Sequence, residues 1–303
     1  MGVEPLFGIF PGMTLRLLAG LREIAAEYDG FVLDLWGVLH DGSKPFPGVL
    51  DALAQLKSAG KGRTVLSNAP RRAHLVASRL TEIGIPPELY DHVHSSGEEA
   101  WQHLRRRDDK FYAALGRRCY HLGPARDENM VEGIDIERVT DIAAAEFILN
   151  TGPALGWEET VADYEALLQA ARAGNVPMVC ANPDLVVIHE GRPAICAGAL
   201  AERYEALGGY VRWHGKPYPS VYETCFAALG LADRGRILAV GDSLRTDIAG
   251  AAAAGIDSVL VTGGIHSEQF GVAPGELPDR ARLEATLAAG GHHPVAVMAG
   301  FRW

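Results

Sequence analysis

Apolar and polar positions alternate along this chain in two rhythms. Leu15, Leu18, Leu21 and Ile24 recur at helical spacing, and Asp29-Gly30 closes the stretch, so the pattern predicts a helix over 14–28. Phe31-Val32-Leu33 is instead an unbroken apolar run, the mark of a strand buried on both faces. Asp34 stands at its carboxyl end, and Gly37 lets the backbone leave sharply. A helix opened by Pro47 follows, with Leu50, Leu53 and Leu56 on one face and Gly60 at its end. Thr64-Val65-Leu66 is the next strand and runs into Ser67-Asn68-Ala69-Pro70. A helix over about 72–83 is broken by Gly84-Ile85-Pro86-Pro87. This β-α-β-α order implies a parallel sheet with right-handed crossovers.

From 97 to 207 a second cycle of similar units reads as a separate α/β module. It holds predicted helices at 98–106 and 161–173 and strands at 118–122, 146–150 and 177–181. The last strand ends in Asn182-Pro183-Asp184, and a short hairpin follows over 185–192. The final third returns to the first pattern. A strand at 210–213 leads into His214-Gly215-Lys216-Pro217, and a helix covers about 220–228. A strand at 236–240 ends in Gly241-Asp242-Ser243. Thr246 is expected to cap a short alanine-rich helix that Gly255 ends. A strand at 258–261 comes next, then loop and one helix over 271–293, then an edge strand at 294–297. No low-complexity tract or fixed-period repeat interrupts the order.

Composition narrows the partners. The chain has 303 residues, 48% hydrophobic and 22% charged, enough to bury a sizeable core without staples. A formal net charge of −10 argues against nucleic acid or an anionic membrane as the main partner. A small phosphate ester stays open, because local cations can reverse the sign inside a pocket. Cys119, Cys180, Cys196 and Cys225 show no C-x-x-C spacing, so neither a zinc knuckle nor a redox pair is indicated, and a reducing cytoplasm is expected. The opening Met1-Gly2-Val3-Glu4-Pro5-Leu6 lacks a basic start, and no signal peptide is read there.

Alone, Asp34 is an ordinary strand-end acid. Its company changes that. Asp34, Ser67 with Asn68, Lys216, and Asp242 with Asp247 all sit at or just beyond the ends of predicted strands, and in a parallel sheet those ends share one edge. Three carboxylates there would repel one another unless a cation sat among them, and oxygen ligands without His or Cys suit Mg²⁺. Lys216 and the Ser67 hydroxyl add positive charge and a hydrogen bond. The set suits a phosphoryl group better than a carbonyl.

These stretches resemble the four signatures of the haloacid dehalogenase-type phosphohydrolases. They are Asp34-Leu35-Trp36-Gly37-Val38, Leu66-Ser67-Asn68, Gly215-Lys216-Pro217, and Gly241-Asp242 with Asp247 after it. The long insert between Ser67 and Lys216, with Asn182-Pro183-Asp184 near its end, resembles the type-two cap of the class IIA branch. The resemblance covers nearly the whole chain. It implies a Rossmann-like parallel-sheet core over 1–96 and 208–303 and an α/β cap over 97–207. It implies a phosphatase acting on a small phosphorylated metabolite such as a sugar phosphate or nucleotide. Asp34 would be the nucleophile, forming an aspartyl-phosphate. Asp34, the Trp36 carbonyl and Asp242 would hold Mg²⁺, with Asp247 close by. Ser67, the Asn68 amide and Lys216 would bind phosphate. A homodimer is compatible with the resemblance.

One position departs from the pattern. The family's general acid/base lies two residues after the nucleophile, and here that residue is Trp36, whose indole cannot protonate a leaving alkoxide. Loss of such help costs about 10²–10⁴ in rate. His40 or Asp41 could replace it, the cap could supply a group, or turnover could be slow or absent. A weak or silent relative that binds a phosphorylated ligand or a protein is therefore the alternative function. His40-Asp41-Gly42 also reads simply as a turn. Arg71 either reaches a second substrate charge or pairs with a nearby acid, and Asn182 and Asp184 either face the site or form an Asx-Pro turn. A dinucleotide-binding enzyme would need a G-x-G-x-x-G after the first strand, and none is there.

Overall fold

The computed structural model describes residues 15–189, 192–273 and 275–303. The opening residues read for a signal peptide, and Glu190-Gly191 at the predicted hairpin tip, lie outside them. The strands are β1 (Arg16–Leu18), β2 (Gly30–Leu33), β3 (Gly62–Ser67), β4 (His92–Ser95), β5 (Arg118–Leu122), β6 (Glu137–Val139) and β7 (Phe147–Asn150). They continue with β8 (Met178–Cys180), β9 (Val186–His189), β10 (Arg192–Ile195), β11 (Val211–Trp213), β12 (Ile237–Gly241), β13 (Asp257–Val261) and β14 (Ala296–Met298).

Seven strands form a parallel sheet in the order β1-β14-β13-β12-β2-β3-β4. The apolar run in β2 explains its central place. Phe31 and Leu33 pack on one side with Val49, Leu53, Val76 and Leu80, from helices Val49–Ser58 and Ala73–Glu82. Val32, pointing the other way, packs with Val221, Tyr222 and Ala251, from helices Ser220–Leu229 and Ala249–Ala254. A strand covered on both faces must be apolar throughout. Sequence order reverses at β2: β3 and β4 continue on one side, and β12 to β14 lie on the other. Open α/β sheets bind ligands in the crevice at such a switch point.

The second sheet is also parallel, in the order β11-β8-β7-β5-β6. Helix Ser96–Arg106 covers one face through Ala100, Trp101 and Leu104, and helices Glu165–Ala173 and Ala197–Ala206 cover the other. β9 and β10 pair antiparallel as the expected hairpin. All four cysteines are free and buried. Among the described residues, no helix is long and apolar enough to cross a membrane.

Several expectations change. The helix predicted over 14–28 is a three-residue strand followed by single 3₁₀ turns at Leu21–Glu23 and Ala25–Glu27. Leu18, Leu21 and Ile24 are buried as the spacing requires, with Leu15 partly so, but its backbone groups find distant partners. β1 pairs with β14, and the Leu21 N–H donates to the Arg302 carbonyl at 2.7 Å. Tertiary pairing overrides helical spacing here. For the same reason β14 is not an edge strand, since β1 covers it. β11 joins the second sheet beside β8, so the chain returns to the first sheet only after Gly215. Thr246 lies inside its helical turn, and Ser243 caps it by accepting the Thr246 N–H. The strand β4 was not anticipated, because His92 and His94 break its apolar pattern.

Candidate active site

Asp34 follows directly on β2, and its N–H donates to the Val240 carbonyl of β12 at 2.9 Å. Its carboxylate therefore opens into the crevice at the switch point. Lys216 reaches the same place from the far end of the chain. Its ammonium donates to Asp34 Oδ1, to Asp247 Oδ1 at 2.6 Å and to the Leu66 carbonyl at 3.2 Å. Asp34, Asp242 and Asp247 each present an oxygen within 4.8 Å of the other two. Residues spread from position 34 to 247 thus share one buried cluster.

The backbone is shaped to admit these side chains. Gly37 has φ +82°, and a Cβ there would lie 2.1 Å from Asp242 Oδ2. A Cβ on Gly264 would lie 2.0 Å from the same atom. Asp242 occupies the slot between these two glycines, where its Oδ2 accepts the Ile265 N–H at 2.7 Å. Asp247 is held by the Ser243 N–H, 3.0 Å from its Oδ2.

Electrostatics follow from burial. Asp34 is pushed above the usual carboxylate range by burial and by Asp247, with Lys216 pulling the other way. Asp242 is pushed up by burial, then by Asp34 and Asp247. Burial works against the Lys216 ammonium, but Asp247 and Asp34 more than offset it, and its pKa lies well above that of ordinary lysine. One ammonium cannot balance three carboxylates. The all-oxygen donor set, and the slot that two missing Cβ atoms leave for Asp242, fit a hard divalent cation.

Asn68 ties the lysine to the second sheet. Its Oδ1 accepts the Lys216 N–H at 2.8 Å, and its Nδ2 donates to the Lys216 carbonyl at 3.1 Å and to Asp184 Oδ1 at 2.8 Å. Its side chain is thereby engaged through both its oxygen and its nitrogen. Ser67 ends β3, beside β2 in register, and its Oγ accepts the Ala69 N–H at 3.1 Å. Asp184 thus meets the cluster's surroundings, whereas Asn182 serves the turn, its Oδ1 accepting the Asp184 N–H at 2.9 Å. Arg245 makes a second link, donating to the Pro183 carbonyl at 2.8 Å.

The remaining candidates are placed otherwise. The Trp36 side chain is 37% exposed and packs edge-on against the His40 ring. His40 is buried, its Nδ1 accepts the Gly42 N–H at 2.9 Å, and burial pushes its pKa down to about 4, so it is neutral near pH 7. Asp41 Oδ1 accepts from the Ser43 hydroxyl and from the Ser43 and Lys44 N–H groups, which hold its pKa down to about 2. It is a turn former. Arg71 pairs with the buried Asp127 at 3.2 Å. The Ile265 and Ser243 amides went unanticipated, because backbone donors leave no side-chain mark in a sequence.

An α/β chain with a carboxylate–lysine cluster at its switch point belongs to a narrow class. A family model described as haloacid dehalogenase-like hydrolase matches residues 31–137, and a second haloacid dehalogenase-like hydrolase model matches 213–283. A solved haloacid dehalogenase-like hydrolase from Brucella suis is 32% identical, with a TM-score of 0.80 over 94% of this chain and 100% of that one. The D-glycerol 3-phosphate phosphatase of Mycobacterium tuberculosis is 32% identical over 250 residues, which are 82% of this chain and 66% of that protein. A solved glycerol phosphate phosphatase from the same organism, in complex with magnesium, is 28% identical, with a TM-score of 0.61 over 80% of this chain and 70% of that one. The chain belongs to the haloacid dehalogenase-like hydrolases, in the class IIA branch.

Proposed function

We propose that the protein hydrolyses a small phosphorylated metabolite, such as a sugar or polyol phosphate or a nucleotide, with Mg²⁺ and through an aspartyl-phosphate on Asp34. The observation that carries this reading is the Lys216 ammonium shared by Asp34 and Asp247, beside a third buried carboxylate. The phosphatase names of the relatives and the magnesium complex support it.

Asp34, Asp242 and Asp247, with the Trp36 carbonyl, would hold the cation. When bound, it supplies positive charge to the phosphoryl oxygens and keeps the carboxylates ionised. Lys216 keeps Asp34 anionic and, with Ser67 and the Asn68 amide, orients the phosphate. An Asp34 oxygen attacks phosphorus as the bond to the ester oxygen breaks, and the ester oxygen leaves as an alkoxide that takes its proton from solvent water. Water then attacks phosphorus, releasing inorganic phosphate and restoring the carboxylate.

The proton for the leaving group is the weak point. Trp36 offers none, His40 is already neutral and tied to Gly42, and Asp41 is spent on its turn. Turnover should therefore depend steeply on the leaving group. This same observation favours the second reading, a nearly silent binder of phosphorylated ligands. Phosphate release from 4-nitrophenyl phosphate and from a panel of phosphorylated metabolites, with and without Mg²⁺, separates the two. Release abolished in Asp34→Asn supports the enzyme, and no release from any ester supports the binder.

A further inference from the structure

Behind the lysine lies a second cluster that the phosphatase chemistry does not use. Glu99 and His103 are four residues apart, on one face of helix Ser96–Arg106. His214 comes from the stretch between β11 and Lys216. One ligand atom from each of the three lies within 4.8 Å of the others. Glu99 and His214 are buried, and His103 opens to solvent on one side.

The orientation of the rings is informative. The Tyr112 hydroxyl meets His214 Nε2, which turns His214 Nδ1 toward Glu99, 3.2 Å from Oε2. His103 Nδ1 is buried and has no hydrogen-bond partner among the described residues, and His214 Nδ1 faces only the Glu99 carboxylate. Interiors rarely leave such a nitrogen unsatisfied. Two ligand atoms on a tetrahedral zinc ion stand roughly 3.3–3.5 Å apart, given bonds of about 2.0–2.2 Å. The Glu99–His214 separation falls close to that edge. Asp108 Oδ1 lies 3.5 Å from His103 Nδ1 on the exposed side, which leaves the fourth position to it or to water.

We infer that Glu99, His103 and His214 form a second metal site, selective for a borderline transition ion such as Zn²⁺. Two imidazoles and one carboxylate suit such an ion, whereas the all-oxygen cluster around Asp34 suits Mg²⁺. Glu99 Oε2 also accepts the Gly215 N–H at 3.0 Å. The ion would clamp the helix to the stretch that delivers Lys216.

The test uses the full chain stripped with a chelator and then given Zn²⁺ or Co²⁺ in the presence of excess Mg²⁺. Wild type should retain a single equivalent of zinc through a desalting column. Its cobalt form should show the visible bands of four-coordinate cobalt, and zinc should raise its unfolding midpoint. Asp34→Asn should keep all three properties. His103→Gln, at a part-exposed position that tolerates the change, should lose them. A wild-type chain that emerges without zinc overturns the site, as does a His103→Gln variant that retains zinc as wild type does. Loss of the zinc in Asp34→Asn also overturns it, because the ion would then belong to the carboxylate cluster.

Discussion

The two parallel sheets share an architecture and differ in what stands at their carboxyl edges. The seven-stranded sheet ends in Asp34, Ser67 and Asp242, and the two carboxylates meet Asp247 beside Lys216. In the five-stranded sheet, β7 and β8 end in or beside amides that hold nearby backbone, while β11 runs on into His214 and Lys216. Asn150 donates to the Ala197 carbonyl at 2.9 Å and accepts the Gly152 N–H at 3.2 Å, and Asn182 accepts the Asp184 N–H. The first edge gathers three carboxylates, and the second supplies the ammonium that faces them, along with amides that hold its own turns. Fold alone therefore says little about chemistry, and the difference lies in the few residues past each strand.

Asp34→Asn should break the contrast most completely. Phosphate release is expected to fall by about 10⁴-fold or more, since a nucleophile has no substitute in its own cluster. Circular dichroism should show the fold intact. Lys216→Met comes next. It leaves Asp34 and Asp247 buried without their partner, and breaking a buried pair costs about 3–5 kcal/mol. Urea unfolding without added metal should show that loss, and Mg²⁺ should recover part of it.

Trp36→Asp sharpens the comparison by giving the first sheet's edge the acid it lacks. Turnover of an alkyl phosphate such as glycerol phosphate should rise by about 10²-fold, with little change for 4-nitrophenyl phosphate, whose leaving group needs no proton. Equal gains on both substrates would remove the leaving-group argument.

The first sheet's lobe should also be acid-sensitive. Burial pushes His40 and His94 from 6.5 down to about 4. Each stays neutral in the fold while the unfolded chain takes up a proton below about pH 6.5, so stability falls as pH drops from there toward 4. At pH 5 each histidine removes on the order of 2 kcal/mol. Urea midpoints at pH 7 and pH 5 measure the drop, and His94→Gln should reduce it. Asp184→Ala has the smallest effect. Losing one hydrogen bond to Asn68 is worth about 1 kcal/mol, which should appear as a roughly fivefold rise in KM at near-constant kcat.

What could be read in advance was what side chains announce. Apolar runs ending in Asp34, Ser67 and Asp242 located the reactive edge, because strands buried on both faces cannot hide a polar residue until they stop. The lone Lys216 was legible only in that company. Other features had no such mark. Leu18, Leu21 and Ile24 keep helical spacing, yet β1 exists because β14, some 280 residues later, offers it an edge. β11 looked like a first-sheet strand until its partner β8 was known. The amides of Ile265 and Ser243 are backbone groups that any sequence could supply. The cluster of Glu99, His103 and His214 stayed hidden because its third member comes from more than a hundred residues away.

The Asn68 amide has a consequence for substrate traffic. It grips Lys216 with two bonds and the second lobe with one. The bond to Asp184 and the Arg245 bond to the Pro183 carbonyl tie the second lobe to the crevice, and breaking both would leave the two bonds that hold the ammonium intact.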